Sequence, residues 1–159
     1  MAAPFASRAD YCAEAASWAG TPFAWQASLK GVGCDCKGLV WGAARALGLP
    51  EAETPDAALA AYDARVPETV LRRGLARTLA AVSLDDAGPG DVLLMAVAGR
   101  AQHLGVIGAD DQGRDVLIHA LSTGPRAVVL TPLKLARRAW PALAAWRFAS
   151  LAPPVDSAR

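Results

Sequence analysis

Apolar residues recur at helical spacing through the first half of this chain and mainly as short apolar segments between turns in the second. Between Ser7 and Ala19, Tyr11, Ala15 and Trp18 share one helical face, and Gly20-Thr21-Pro22 stops the pattern, which predicts a first helix. Gly31, Gly33 and Gly38 are expected to bracket a turn into a second stripe of Cys36, Leu39, Val40, Ala43 and Leu47, which Gly48 and Pro50 end. Asp35 stands where an N-cap belongs, since its carboxylate can accept hydrogen bonds from the open amides of the first turn. Thr54-Pro55 and Val66-Pro67 read as helix starts, so one or two short helices are expected from Pro55 to Val82, the second weakened by Gly74.

After Ala87-Gly88-Pro89-Gly90 the expected elements are strands: Asp91 to Val97, Gln102 to Gly108, Val116 to Leu121 and Ala127 to Leu130. A helical stretch from Pro132 to Arg138 and a last strand from Leu143 to Phe148 follow. Helices first and an antiparallel sheet second is an α+β order rather than alternating βαβ units. Residues 1–149 are read as a single domain and 150–159 as a loose tail with Pro153-Pro154 in it.

Composition narrows the class. A chain of 159 residues that is 53% hydrophobic can bury one substantial core and is short for two domains. Sixteen Lys and Arg against fifteen Asp and Glu leave a net charge of +1, which gives no electrostatic reason for a nucleic-acid partner, and Arg72-Arg73 and Arg137-Arg138 read as solvated helix faces. No apolar run approaches the ~20 residues that span a bilayer, so no membrane insertion is expected. Met1 to Asp10 lacks a basic stretch followed by an apolar one, and the expectation is synthesis and folding in the cytosol. Cys34 and Cys36 are too close in sequence for an unstrained disulfide, so the three cysteines are read as free thiols.

Cys36 carries the sharpest chemistry. A thiol in the first turn of a helix lies in the positive end of the dipole beside open amides, and both favour the thiolate that attacks a carbonyl. The chain has only two histidines, His103 and His119, on predicted strands joined through the polar segment Asp110-Asp111-Gln112-Gly113-Arg114. A hairpin centred near Gln112 gives residue pairs summing to about 222 to 224, so the two imidazoles share a face and lie opposite or diagonal to each other. One could deprotonate Cys36 while the other orients the first ring. Gly105 is expected to leave space beside them or to mark a bulge. Cys12 is read as packing, and Cys34 as either structural or a spare thiol near the site. Cys34, Cys36, His103 and His119 could also form a zinc site, although one residue between the thiols is closer than usual metal-ligand spacing. Trp18, Phe23, Trp25 and Trp41 could line a groove or fill the core.

Taken in order, Gly20-Thr21-Pro22-Phe23, Gly33-Cys34-Asp35-Cys36-Lys37-Gly38-Leu39-Val40, Gly90-Asp91-Val92-Leu93-Leu94, Gln102-His103-Leu104-Gly105-Val106 and Ile118-His119-Ala120 resemble the NlpC/P60 cysteine peptidases over about Ser7 to Phe148. The run from Gln26 to Cys36 and the Trp146-Arg147-Phe148 ending resemble the phage-tail cell-wall peptidase branch, including the version carried by gene transfer agents. The resemblance implies a papain-like fold with Cys36 as nucleophile, His103 as general base and His119 as the orienting residue. It implies hydrolysis of peptide bonds in peptidoglycan stems, typically between D-glutamate and a diamino acid, through an acyl-enzyme, with no metal and no cofactor.

Two positions depart from the family pattern. Phe23 stands where a tyrosine hydroxyl often assists the oxyanion, and loss of one such donor costs about 10²- to 10³-fold in rate. Lys37 replaces the serine after the cysteine and either enters the substrate groove or faces solvent. Phe23, Asp35 and Lys37 are thus the expected oxyanion and substrate surroundings. The branch implies tail-tip or hub proteins of a phage-like particle as partners, with action in the periplasm of a recipient cell. Amidase or acyl-transfer chemistry on the same triad, or a structural tail-tip adaptor, are the alternatives.

Overall fold

The structure, a computed structural model, describes residues 6–53 and 67–151. Helix α1 (Arg8–Ala16) starts at Ser7, whose side chain accepts from the Asp10 amide while Asp10 accepts from the Ser7 backbone, a reciprocal cap. It stops one turn short of the expected end. Trp18 lies in the following turns, with its indole on Glu14 and only 3% of its surface exposed. Next comes a two-stranded hairpin, β1 (Ser28–Leu29) and β2 (Gly33–Cys34), not anticipated from the sequence. Gly31 turns it with φ +79.

Helix α2 (Cys36–Ala46) follows, capped by Asp35 as expected. Gly38 belongs to this helix rather than to the turn before it. The Ala27 carbonyl lies against Gly38, and the ring of Trp18 and the hydroxyl of Ser28 lie against Gly42. These two glycines let Trp18, Ala27 and the first residue of the hairpin approach α2 closely. A 3₁₀ turn at Pro50–Ala52 closes this part of the chain.

Helix α3 (Glu68–Thr78) begins directly after Pro67. The expected start at Thr54-Pro55 and residues 152–159 of the expected tail lie outside the described residues; the first two tail residues are not loose, since Ser150 donates to Glu51 and Leu151 is buried in the core. Residues 80–82 are not helical: β3 (Ala80–Val82) pairs with the last strand, because an extended backbone there finds ladder partners that a further helical turn would not. Strands β4 (Val92–Val97), β5 (Arg100–Ala109), β6 (Asp115–Ala120) and β7 (Val128–Pro132) follow. Helix α4 (Leu133–Ala139) and β8 (Ala142–Arg147) complete the chain.

The sheet has six antiparallel strands in the order β3-β8-β4-β5-β6-β7. One face carries Val92, Leu94, Leu104, Val106, Val116 and Ile118 against Tyr11, Ala15, Leu39, Val40, Leu71 and Leu75 of the first three helices. The other carries Leu93, Met95, Ile107, Leu117 and Ala145 beneath Ala136 of α4. The family-like Gly90-Asp91 pair opens β4. Asp91 is fully buried and receives both Arg147 Nε and Nη2, at 2.7 and 2.9 Å, together with Arg8 and the Gly88 amide. This carboxylate ties the start of the first helix to β4 and β8, and the two guanidinium groups satisfy a charge that is itself shut off from water.

Candidate active site

Asp35 builds the start of α2 from both sides. One carboxylate oxygen accepts from the Gly38 amide at 2.6 Å and the other from the Gln26 amide at 2.8 Å. The buried side chain therefore fixes the helix start and the segment carrying Phe23 and Trp25 in one contact set. Cys36 is the next residue, 7% exposed. The backbone amides of Lys37 and Leu104 face its sulfur, so the thiol sits one residue along β5 from His103.

The β5–β6 hairpin has pairs summing to 224, from Val106↔Ile118 to Ala109↔Asp115, within the expected register. His103 and His119 consequently share a face as diagonal neighbours, and His103 Nε2 lies 2.8 Å from His119 Nδ1. That face is the one carrying Ile107 and Leu117. The irregularity lies not at Gly105 but between Met95 and Ala96, where Met95 pairs with His103 and Ala96 with Ala101, leaving Gln102 as the extra residue. Nor does Gly105 make room for the imidazoles: a Cβ there would meet Leu117 Cδ1 at 2.6 Å, so the missing side chain accommodates Leu117.

Cys36, His103, Asp35, Phe23 and Trp25 line one pocket with Val97, Trp140 and residues 120–123. His119 is fully buried behind His103 and does not line it. Its remaining nitrogen, Nε2, is 2.8 Å from Thr131 Oγ1. Lys37 is half-buried and is also not among the lining residues. The four aromatic candidates divide: Trp18 and Trp41 are core, whereas Phe23 and Trp25 are pocket wall, edge to face with ring centres 4.9 Å apart. Cys34, fully buried in β2, and Cys12, bonded to the Ile107 carbonyl at 3.4 Å, lie outside the pocket.

Sequence reasoning missed two residues here. Trp140 packs on both imidazoles, with ring centres 5.9 Å from His103 and 5.1 Å from His119. Thr131 holds the far side of His119. Both follow strand β6 in the chain, and only tertiary packing brings them to the histidines.

Burial dominates the electrostatics. It pushes the Cys36 thiol up to about 11, with Asp35 adding to the rise, while the amides of Leu104 and Lys37 and the Lys37 charge oppose it. Burial thus acts on the sulfur against the first-turn amides and the positive helix end that favour its thiolate. Burial likewise lowers His103 to about 3, with His119 contributing, and His119 to about 4. Trp140 is part of the cause, since its ring replaces water beside both imidazoles. At neutral pH the thiol and both rings are therefore uncharged. Among the described residues no three His, Cys, Asp or Glu side chains are grouped to hold a metal ion. The pocket lining thus brings a thiol, Cys36, and an imidazole, His103, into one cavity, and burial favours the uncharged form of each.

No family model matches this sequence, and no curated protein matches it. Among solved structures, the NlpC/p60 domain of the peptidoglycan hydrolase SagA is similar in fold. It has a TM-score of 0.55 and 19% identity, with 88% of this chain and 97% of that domain covered. The α+β fold of this chain, with helices on an antiparallel six-stranded sheet, is the fold of that domain.

Proposed function

We propose that this chain is a cysteine peptidase that hydrolyses peptide bonds in peptidoglycan. The observation that carries the reading is that Cys36 and His103 line one pocket, with His103 Nε2 engaged by a buried His119, on a fold shared with a peptidoglycan hydrolase domain. As Cys36 Sγ bonds to the substrate carbonyl carbon, its proton passes to His103 Nδ1, the ring nitrogen that His119 does not occupy, and the carbonyl π pair moves to oxygen. The Cys36 amide, at the first helical position and without a carbonyl partner of its own, supplies a donor to that oxygen. Collapse expels the amine, which takes the proton from His103, and water then attacks the acyl-enzyme with His103 again as base.

Digestion of purified peptidoglycan by the wild-type chain, with Cys36→Ala as control, tests this. Soluble muropeptides are expected only from the wild type. Equal release from both proteins would sink the proposal, and release of intact stems from glycan would assign an amidase instead.

The finer reading is that the scissile bond joins D-glutamate to the diamino acid. We further propose that the chain rides on the tail tip of a phage-like or gene transfer agent particle and acts in the periplasm of a recipient cell. The support is the sequence resemblance of Gln26 to Cys36 and of Trp146-Arg147-Phe148 to tail-borne peptidases. Fragment masses locate the bond. Sedimentation of peptidoglycan-degrading activity with intact particles, and its loss from particles built with Cys36→Ala, checks the carriage; activity found only in the unassembled fraction counts against it.

A further inference from the structure

Resting on the catalytic reading above, we propose that Thr131 is a positioning residue of the site: its hydroxyl sets the proton order along His119 and His103 that leaves His103 Nδ1 bare to receive the thiol proton.

The contacts form a line. His103 Nε2 is 2.8 Å from His119 Nδ1, and His119 Nε2 is 2.8 Å from Thr131 Oγ1. The register produces it, since Thr131 pairs with Leu117 and His119 with Val129, which puts Thr131 diagonal to His119 on one face of β6 and β7. A neutral imidazole carries one proton, and a contact between two ring nitrogens holds one proton, so the line has two orders. In the first, His103 Nε2–H donates to His119 Nδ1, His119 Nε2–H donates to Thr131 Oγ1, and His103 Nδ1 is a lone pair. In the second, the hydroxyl donates to His119 Nε2, His119 Nδ1–H donates to His103 Nε2, and the proton of His103 stands on Nδ1. Only the first order can take a proton from Cys36.

The productive order needs an acceptor at the end of the line. Thr131 supplies one, and because the residue is only partly buried its own hydrogen can turn to solvent. His119 is fully buried, so no water replaces the hydroxyl if it is removed. The need grows during reaction: once His103 holds the thiol proton the line carries a positive charge, and an acceptor for the last N–H stabilises that charge more than it stabilises the resting state. Loss of Thr131 is thus a loss in kcat rather than in substrate affinity.

Thr131→Val removes the acceptor at nearly constant shape, and Thr131→Ser restores it. Thr131→Val is expected to lower kcat on peptidoglycan by about 10- to 100-fold, the range for a hydrogen bond to a charged group. KM should stay within about twofold, and Thr131→Ser should return to within about threefold of wild type. Nitrogen-15 spectra of the wild-type histidines are expected to show His119 protonated at Nε2. Wild-type kcat in Thr131→Val, equal losses in the Val and Ser variants, or wild-type His119 protonated at Nδ1 would each overturn the proposal. The spectra need no wall substrate and no variant. A wild type that leaves peptidoglycan intact yet carries the Nε2 proton on His119 refutes the hydrolase reading and not the proton order. If Thr131→Val does not fold, the wild-type spectrum and Thr131→Ser kinetics still decide.

Discussion

Ala27 lays its carbonyl oxygen directly over Gly38, where a Cβ would stand 1.9 Å from it. The same carbonyl accepts the Asp35 amide at 3.2 Å, so it cannot move without releasing the helix cap. Gly38→Ala is expected to destabilise the fold by about 3 kcal/mol or more, at or above the upper end of overpacking costs. Gly88→Ala, where the nearest atom is the far end of Arg8 at 3.8 Å, should leave the melting temperature nearly unchanged. Thermal melts of the two variants compare them; equal melting temperatures would contradict this packing.

Asp35→Asn separates stability from reactivity. An amide has one acceptor oxygen for the Gly38 and Gln26 amides that now share a carboxylate, which is expected to lower stability by about 1–2 kcal/mol. Removing the negative charge also removes one cause of the raised Cys36 thiol, so iodoacetamide should modify Cys36 faster at fixed pH. Denaturant titration and site-resolved mass spectrometry read the opposite signs. Slower alkylation in a folded variant would show that Asp35 does not act on the sulfur as a charge.

Acid should weaken the fold before it reaches the carboxylate range. His103 and His119 are depressed to about 3 and about 4 in the folded chain, against about 6.5 when unfolded. Their contribution is therefore complete above the unfolded value and is lost as pH falls through it toward the folded values. Each ring removes up to about 1.4 kcal/mol per pH unit in that window. Denaturant melts from about pH 7 down to about pH 5 should show the slope, and His119→Asn should reduce it. A flat profile over this window would mean that the rings are not held neutral.

The two histidines should not be equivalent in activity. His119→Asn keeps a polar group behind His103 Nε2, whereas His103→Ala removes the ring on the pocket wall. The expected order of peptidoglycan cleavage is wild type, then His119→Asn, then His103→Ala at the level of Cys36→Ala. Complete and equal loss in both histidine variants would count against a base and an orienting partner.

Local signals made much of this legible. The Asp35 cap, the α2 stripe and the hairpin centred on Gln112 are each written in a few adjacent residues, and together they bring Cys36, His103 and His119 into one neighbourhood. Contacts between distant segments were not legible. Ala80 to Val82 reads as the end of a helix until β8 offers it a ladder, and Gly105 reads as space for a ring until Leu117 fills it. Trp140 and Thr131 carry no local motif, and their places depend on how α4 and β7 fold back over β6. The burial of the thiol was not legible for the same reason, because it is a property of the assembled fold.

The pocket is lined from residue 23 at one end of the described chain to residue 140 near the other, with α2 and the β5–β6 hairpin between. No contiguous half of this protein contains a site. A fragment ending before Trp140 would keep the thiol and both imidazoles but leave their rings open to water, and one beginning after α2 would have the base without the nucleophile. Every part of the pocket therefore depends on segments far apart in sequence, and β8, which follows Trp140, enters the sheet between β3 and β4 rather than at its edge.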